Sequence, residues 1–146
     1  MLAIWDLGTD YQLLGLLHVL AVILAFGPLF LFPALHRRGD TQTMATMYLR
    51  LVFPSLVVVW VLGMGMAGVG EYDLAANEWV TISILLWVIM VVVGWFLIRP
   101  ATKDTSEDAR KKLAIGSGIT HLLMVVTLVL MVFKPGAGPG GAPILK

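Results

Sequence analysis

The chain has 146 residues, no cysteine, a formal net charge of +1, 59% hydrophobic residues and 13% charged residues, with a mean hydropathy of +0.92. Soluble domains carry about a quarter charged residues, so an ordinary soluble domain is excluded, and the lack of cysteine excludes every disulfide, thiolate metal site, iron–sulfur cluster and cysteine nucleophile. The near-zero charge gives no basis for nucleic-acid binding, and the length suits about four bilayer crossings with short loops.

The first apolar run extends from Leu13 to Phe32, interrupted among ionisable groups only by His18. Thr9 and Gln12 have capping-box spacing at its start. Pro28 is expected to kink it and Pro33 to help end it. Asp6 and Asp10 precede it without any Lys or Arg, so it reads as a retained span and not as a cleaved signal peptide. The second run, Leu51 to Val69, ends in the glycine-dense stretch Gly63 to Gly68, and its helix is expected to begin near Thr43 with Pro54 in its first membrane turn. The third, Trp79 to Ile98, carries no charge and is expected to stop at Arg99-Pro100. The fourth, Leu113 to Phe133, is interrupted only by His121, and Thr105 with Asp108 is expected to cap a helix leading into it. A Pro/Gly-rich tail over 135–146 is expected to be flexible.

The connections after the first and third spans hold Arg37, Arg38, Arg50, Arg99, Lys103 and Arg110 to Lys112, whereas Gly70 to Glu78 holds only acidic charges. The positive-inside rule then puts both termini outside, with Trp5, Tyr11, Tyr72 and Trp79 as an outer aromatic belt. The expected fold is an all-α polytopic membrane protein. It is one domain over 1–134, an antiparallel four-helix transmembrane bundle with spans at about 12–33, 49–69, 78–98 and 112–133. No convincing internal repeat is present.

His18 and His121 are the two ionisable side chains within the four apolar runs, and intramembrane ionisable groups are functional candidates because burying them in hydrocarbon is costly. His18 shares a helical stripe with Gly15, Ala21, Val22 and Ala25, and His121 with Ser117, Gly118, Met124 and Val125, which points to packed faces. At about 1.5 Å per residue the two differ by roughly 10 Å in depth. One shared metal ion is then awkward, while haem with axial ligands at different levels is compatible. The alternatives are proton transfer and plain hydrogen bonds to Ser, Thr or a carbonyl of a neighbouring helix. Met64 and Met66, on opposite sides of a regular helix, offer with His18 a copper(I) alternative. On the third helix Ser83, Trp87, Met90 and Gly94 share a stripe. One reading is a pocket lining in which Trp87 stacks on a flat cofactor; the plainer one is a Trp N–H bonded across the bundle and a glycine at a close contact. Arg50, Arg99, Lys111 and Lys112 have the chemistry to bind anionic headgroups. No Walker loop, Ser-His-Asp order, HExxH or intramembrane carboxylate pair is present.

The segment Leu16 to Pro28, with its His18 and Gly27 followed by a basic loop, resembles the first helix of small four-helix bacterial integral membrane proteins of unknown function. These are distantly similar to the copper-resistance protein D and HemJ-like protoporphyrinogen oxidase group. The resemblance implies a multi-pass protein of the bacterial cytoplasmic membrane and, from the haem-binding members, a ligand role for His18. Phe26 stands where those members usually have Trp, and Pro28 follows the glycine. The expected function is an accessory or interaction subunit without its own catalysis, a homo-oligomer or part of a larger membrane complex, holding haem or another ligand near His18 and His121. A haem-dependent membrane oxidoreductase and a small-solute or copper transporter are the alternatives.

Overall fold

The computed structural model describes residues 8–138, with side chains from Asp10 onward; Trp5, the Thr9 side chain and tail residues 139–146 therefore lie outside the described residues. Four helices are each long and apolar enough to cross a membrane: α1 (Asp10–Arg37), α2 (Thr41–Val69), α3 (Glu78–Ala101) and α4 (Glu107–Phe133). They form an all-α antiparallel bundle. The start of α1, the α2–α3 loop and the end of α4 lie at one end, where the Tyr11 and Tyr72 hydroxyls meet at 2.6 Å and the Lys134 ammonium lies 5.6 Å from the Trp79 ring centroid. This is called the termini end, and the opposite one the basic end.

The helices run longer at the basic end than expected because their prolines are absorbed. Gly27–Phe30 tightens into a 3₁₀ turn, and Phe32–Arg37 then starts a fresh helical segment with Pro33 in its first turn, where a missing N–H leaves no vacancy in the ladder. Pro33 thus restarts the helix instead of ending it. Pro54 and Pro100 are each preceded by a five-residue π-helical segment, Tyr48–Val52 and Gly94–Ile98. The N–H groups of Phe53 and Arg99 close back onto the Tyr48 and Gly94 carbonyls, so each proline again occupies a first turn and α3 continues past Arg99 to Ala101.

The caps also differ from the expected pair. Asp40 accepts from the Thr43 N–H at 3.0 Å and starts α2. Ser106, not Thr105, starts α4 by accepting from the Ala109 N–H at 3.1 Å, while Asp104 accepts from the Ser106 hydroxyl at 2.6 Å. These bonds stabilise the ionised carboxyls and hold both below the usual range.

α1 packs along α2, and α3 along α4. The two hairpins meet in a core at the basic end built from all four helices, including Phe32, Met44, Tyr48, Ile98 and Leu113. Tyr48 fits because position 94 is glycine: a Cβ there would lie 2.6 Å from the Tyr48 Oη. A smaller cluster of Tyr11, Ala67, Tyr72 and Trp79 closes the termini end. It is a buried plug, and the expected aromatic belt is not formed by these three residues. Gly70 is required there, since a Cβ would meet the Tyr72 ring at 2.5 Å.

Candidate functional site

Between these two clusters lies a cavity of about 520 Å³ walled by all four helices. Its floor is aromatic. Trp87 donates its indole N–H to the Leu56 carbonyl at 3.0 Å and stacks with Trp60 at a centroid distance of 6.0 Å. The N–H bond across the bundle is the one expected for Trp87. Above it the wall is apolar, with methionines 64, 66, 90, 124 and 131 supplied by α2, α3 and α4. Tyr11, Tyr72, Trp79 and Lys134 form the rim at the termini end. Burial, followed by the hydrogen bond shared with Tyr11, pushes the Tyr72 hydroxyl well above its ordinary pKa.

His18 stands in this wall. Ala21 and Ala25, on its stripe, are buried, which turns the imidazole inward. Its Nδ1 is buried without a hydrogen-bond partner. A Cβ at Gly63 would lie 3.2 Å from the imidazole Cε1, so the glycine makes room for the ring. The Val59 carbonyl of α2 is the backbone acceptor beside the imidazole. The other polar groups of the wall are largely engaged: the Ser83 hydroxyl donates to the Trp79 carbonyl at 2.6 Å and that of Thr127 to the Leu123 carbonyl at 2.9 Å. His18 is consequently an imidazole facing an apolar, partly open space, where an unmet polar group is costly.

The structure brings together His18, Met64 and Met66, and the two methionines line the same cavity although a regular helix puts them on different sides. The cavity is wide and the side chains are long. It does not bring His121 to this wall. His121 stacks on Phe30 at a centroid distance of 3.9 Å, its Nε2 is buried without a partner, and of its stripe Ser117 is buried while Val125 is exposed. The plainer expectation, a bond to a backbone carbonyl of a neighbouring helix, has its acceptor at His18 in the Val59 carbonyl of α2, while Nε2 of His121 has no partner. A third histidine was missed: His36 is buried with its Nε2 unpartnered, hidden from the sequence reading by Pro33. The five methionines also went unnoticed as one group, because they come from three helices. Among the described residues no three His, Asp or Glu side chains are grouped as a metal site.

Comparison with known proteins gave no match: no protein-family model, no curated protein and no solved structure. The class that the fold defines is a multi-pass helical bundle, and the functional reading rests on the cavity.

Proposed function

We propose that this protein is a ligand-holding accessory subunit of a bacterial cytoplasmic membrane, without catalysis of its own, and that its ligand is a largely apolar, flat molecule anchored by His18. The observation carrying this reading is a partly open apolar cavity of about 520 Å³ whose wall contains an imidazole with an unpartnered nitrogen. Pockets of this size and lining suit cofactor-sized ligands. Aromatic faces at Trp60 and Trp87 favour a planar body. Lys134 at the rim favours an acidic substituent at the termini end. The donor set is compatible with haem, which His18 and a thioether of the same wall would hold through its iron, supplying one-electron chemistry when bound. His121 has no part in that arrangement, so the paired-histidine version loses its support. The shared placement of His18, Met64 and Met66 favours copper(I) as the second reading, since imidazole and thioethers are suitable donors. The packed basic-end core is an argument against a continuous transport path.

The test is purification in mild detergent after haem-supplemented expression, followed by an absorption spectrum, metal analysis and mass spectrometry of an organic extract. The expected result is a co-purifying ligand that is lost in His18→Ala and retained in His121→Ala. Absence of a Soret band removes haem. Identical extracts from the wild type and His18→Ala overturn the reading as a whole.

A further inference from the structure

A second site lies at the opposite end and faces outward. Trp95, Phe96, Arg99, Pro100 and Lys103, all from α3 and the turn after it, line a surface pocket of about 400 Å³. The Arg99 guanidinium carbon is 3.9 Å from the Trp95 ring centroid, and such stacking fixes the planar fork while leaving its edges free. Arg99 Nε is buried with no hydrogen-bond partner. No carboxylate neutralises Arg99 or Lys103 among the described residues. Asp104 turns to Ser106, Asp40 caps Thr43, Glu107 pairs with Arg110 at 2.6 Å and Asp108 with Lys112 at 2.6 Å. Two cations, one held by an aromatic ring, are thus left facing the same pocket.

The surface leading to this pocket identifies the kind of anion. Leu85, Ile89, Val92 and Phe96 recur at helical spacing along α3, and all four are exposed. The stripe ends at Arg99. A molecule with an anionic head and long apolar chains satisfies both parts, whereas a free ion uses only the head. We propose that Arg99 and Lys103 bind the phosphodiester of an anionic phospholipid, with its acyl chains along the Leu85–Phe96 stripe. Arg suits phosphate through parallel N–H bonds, and each cation near a membrane surface contributes about fivefold in affinity for anionic lipid.

The test is native mass spectrometry of the full chain in mild detergent, with three separate probes: phosphatidylglycerol, phosphatidylcholine of the same chains, and inorganic phosphate. The wild type is expected to retain phosphatidylglycerol over phosphatidylcholine by about fivefold or more. Arg99→Gln and Lys103→Gln should each cut that retention by about fivefold. Arg38→Gln, an exposed cation in the turn between α1 and α2 and outside the pocket, should leave it unchanged. Lys103 is exposed, so its variant remains informative if Arg99→Gln fails to fold. Equal losses for Arg38→Gln and Lys103→Gln would reduce the effect to diffuse charge and overturn the site. Displacement of phosphatidylglycerol by equimolar inorganic phosphate would overturn the lipid assignment in favour of a small-anion site.

Discussion

The half of the bundle at the basic end and the half at the termini end are built from equally apolar helices, yet one is closed and the other holds a cavity. The three interruptions of regular helix, the 3₁₀ turn at Gly27–Phe30 and the π segments at Tyr48–Val52 and Gly94–Ile98, all fall in the closed half. A π segment adds a residue to one turn and re-aims the side chains after it. Here two such segments face each other, with Tyr48 of one against Gly94 of the other. Toward the termini, regular α-helix runs through Gly63, Gly65 and Gly68 on α2, and the hairpins remain apart until the Tyr11–Tyr72 plug. Apolar composition alone does not close a bundle in lipid, because the lipid is as apolar as the helices and only packing discriminates. Irregular turns that bring large side chains into register supply that packing on one side only.

Truncation in each half is the strongest way to break this contrast. Phe32 is fully buried, and Phe32→Ala is expected to cost about 2–3 kcal/mol in detergent unfolding. That is less than the usual aqueous figure because in an apolar solvent chiefly the packing contribution is lost. Met124→Ala, in the cavity wall, should cost well under about 1 kcal/mol because it enlarges an existing space. Equal costs at the two positions would mean that the cavity is filled in the working protein, or that the closed half is not specifically packed. Gly94→Val should behave like Phe32→Ala, because its side chain has to displace Tyr48.

The next effect is confined to the open half. Gly63→Ala puts a methyl group 3.2 Å from the His18 imidazole and is expected to lower retention of the co-purifying ligand about tenfold while leaving the unfolding midpoint almost unchanged. A tenfold loss corresponds to about 1.4 kcal/mol. If Gly63→Ala instead destabilised the bundle as much as Phe32→Ala, the cavity would be a tight core at that level.

A smaller effect concerns the plug. Tyr11→Phe removes the 2.6 Å bond to Tyr72 and should cost about 1 kcal/mol. Tyr72 also makes this end sensitive to base. Its hydroxyl titrates above its ordinary value near 10, so the folded state holds the proton more tightly than the unfolded chain. The corresponding stability is fully present below about pH 10 and falls as pH rises beyond it. Hydrogen exchange of residues 70–77 should accelerate in that range, and Tyr72→Phe should flatten the dependence.

The four spans were legible in the sequence because hydropathy and length decide them, and the Trp87 bond and the close contact at Gly94 followed from a single helical stripe. What escaped was set by backbone adjustment. Pro33 and Arg99-Pro100 read as stops, because a proline removes a donor, and nothing in the local sequence announces that a 3₁₀ or π segment will shift it into a first turn. The α3 wall of the cavity was visible as the Ser83, Trp87 and Met90 stripe, and the rest escaped for a different reason. His18 was visible as an isolated intramembrane imidazole, but the methionines beside it belong to three helices, and helical spacing within one segment carries no information about which faces of others it meets. The depth estimate separated His18 from His121 by roughly 10 Å, and their different neighbours agree with that separation.

The smallest expected effect lies at the basic end and has the opposite pH sign to that of Tyr72. Asp40 is held below its ordinary pKa of 3.8 first by its bonds from Thr43, and Asp104 likewise by Ser106. A carboxyl depressed in the folded state stabilises it above the unfolded value, and that contribution disappears as pH falls through the folded value. The basic end should therefore loosen as pH drops below about 4, the range of the unfolded carboxyl, with faster exchange at the starts of α2 and α4 and no change at residues 70–77. Asp40→Asn retains a good capping side chain but removes the proton equilibrium, so the start of α2 should lose its acid response while α4 retains its own. Loss of both responses in this single variant would mean that the two caps open as one unit. In that case the tightly packed half, and not each helix start, would be the element that acid disrupts.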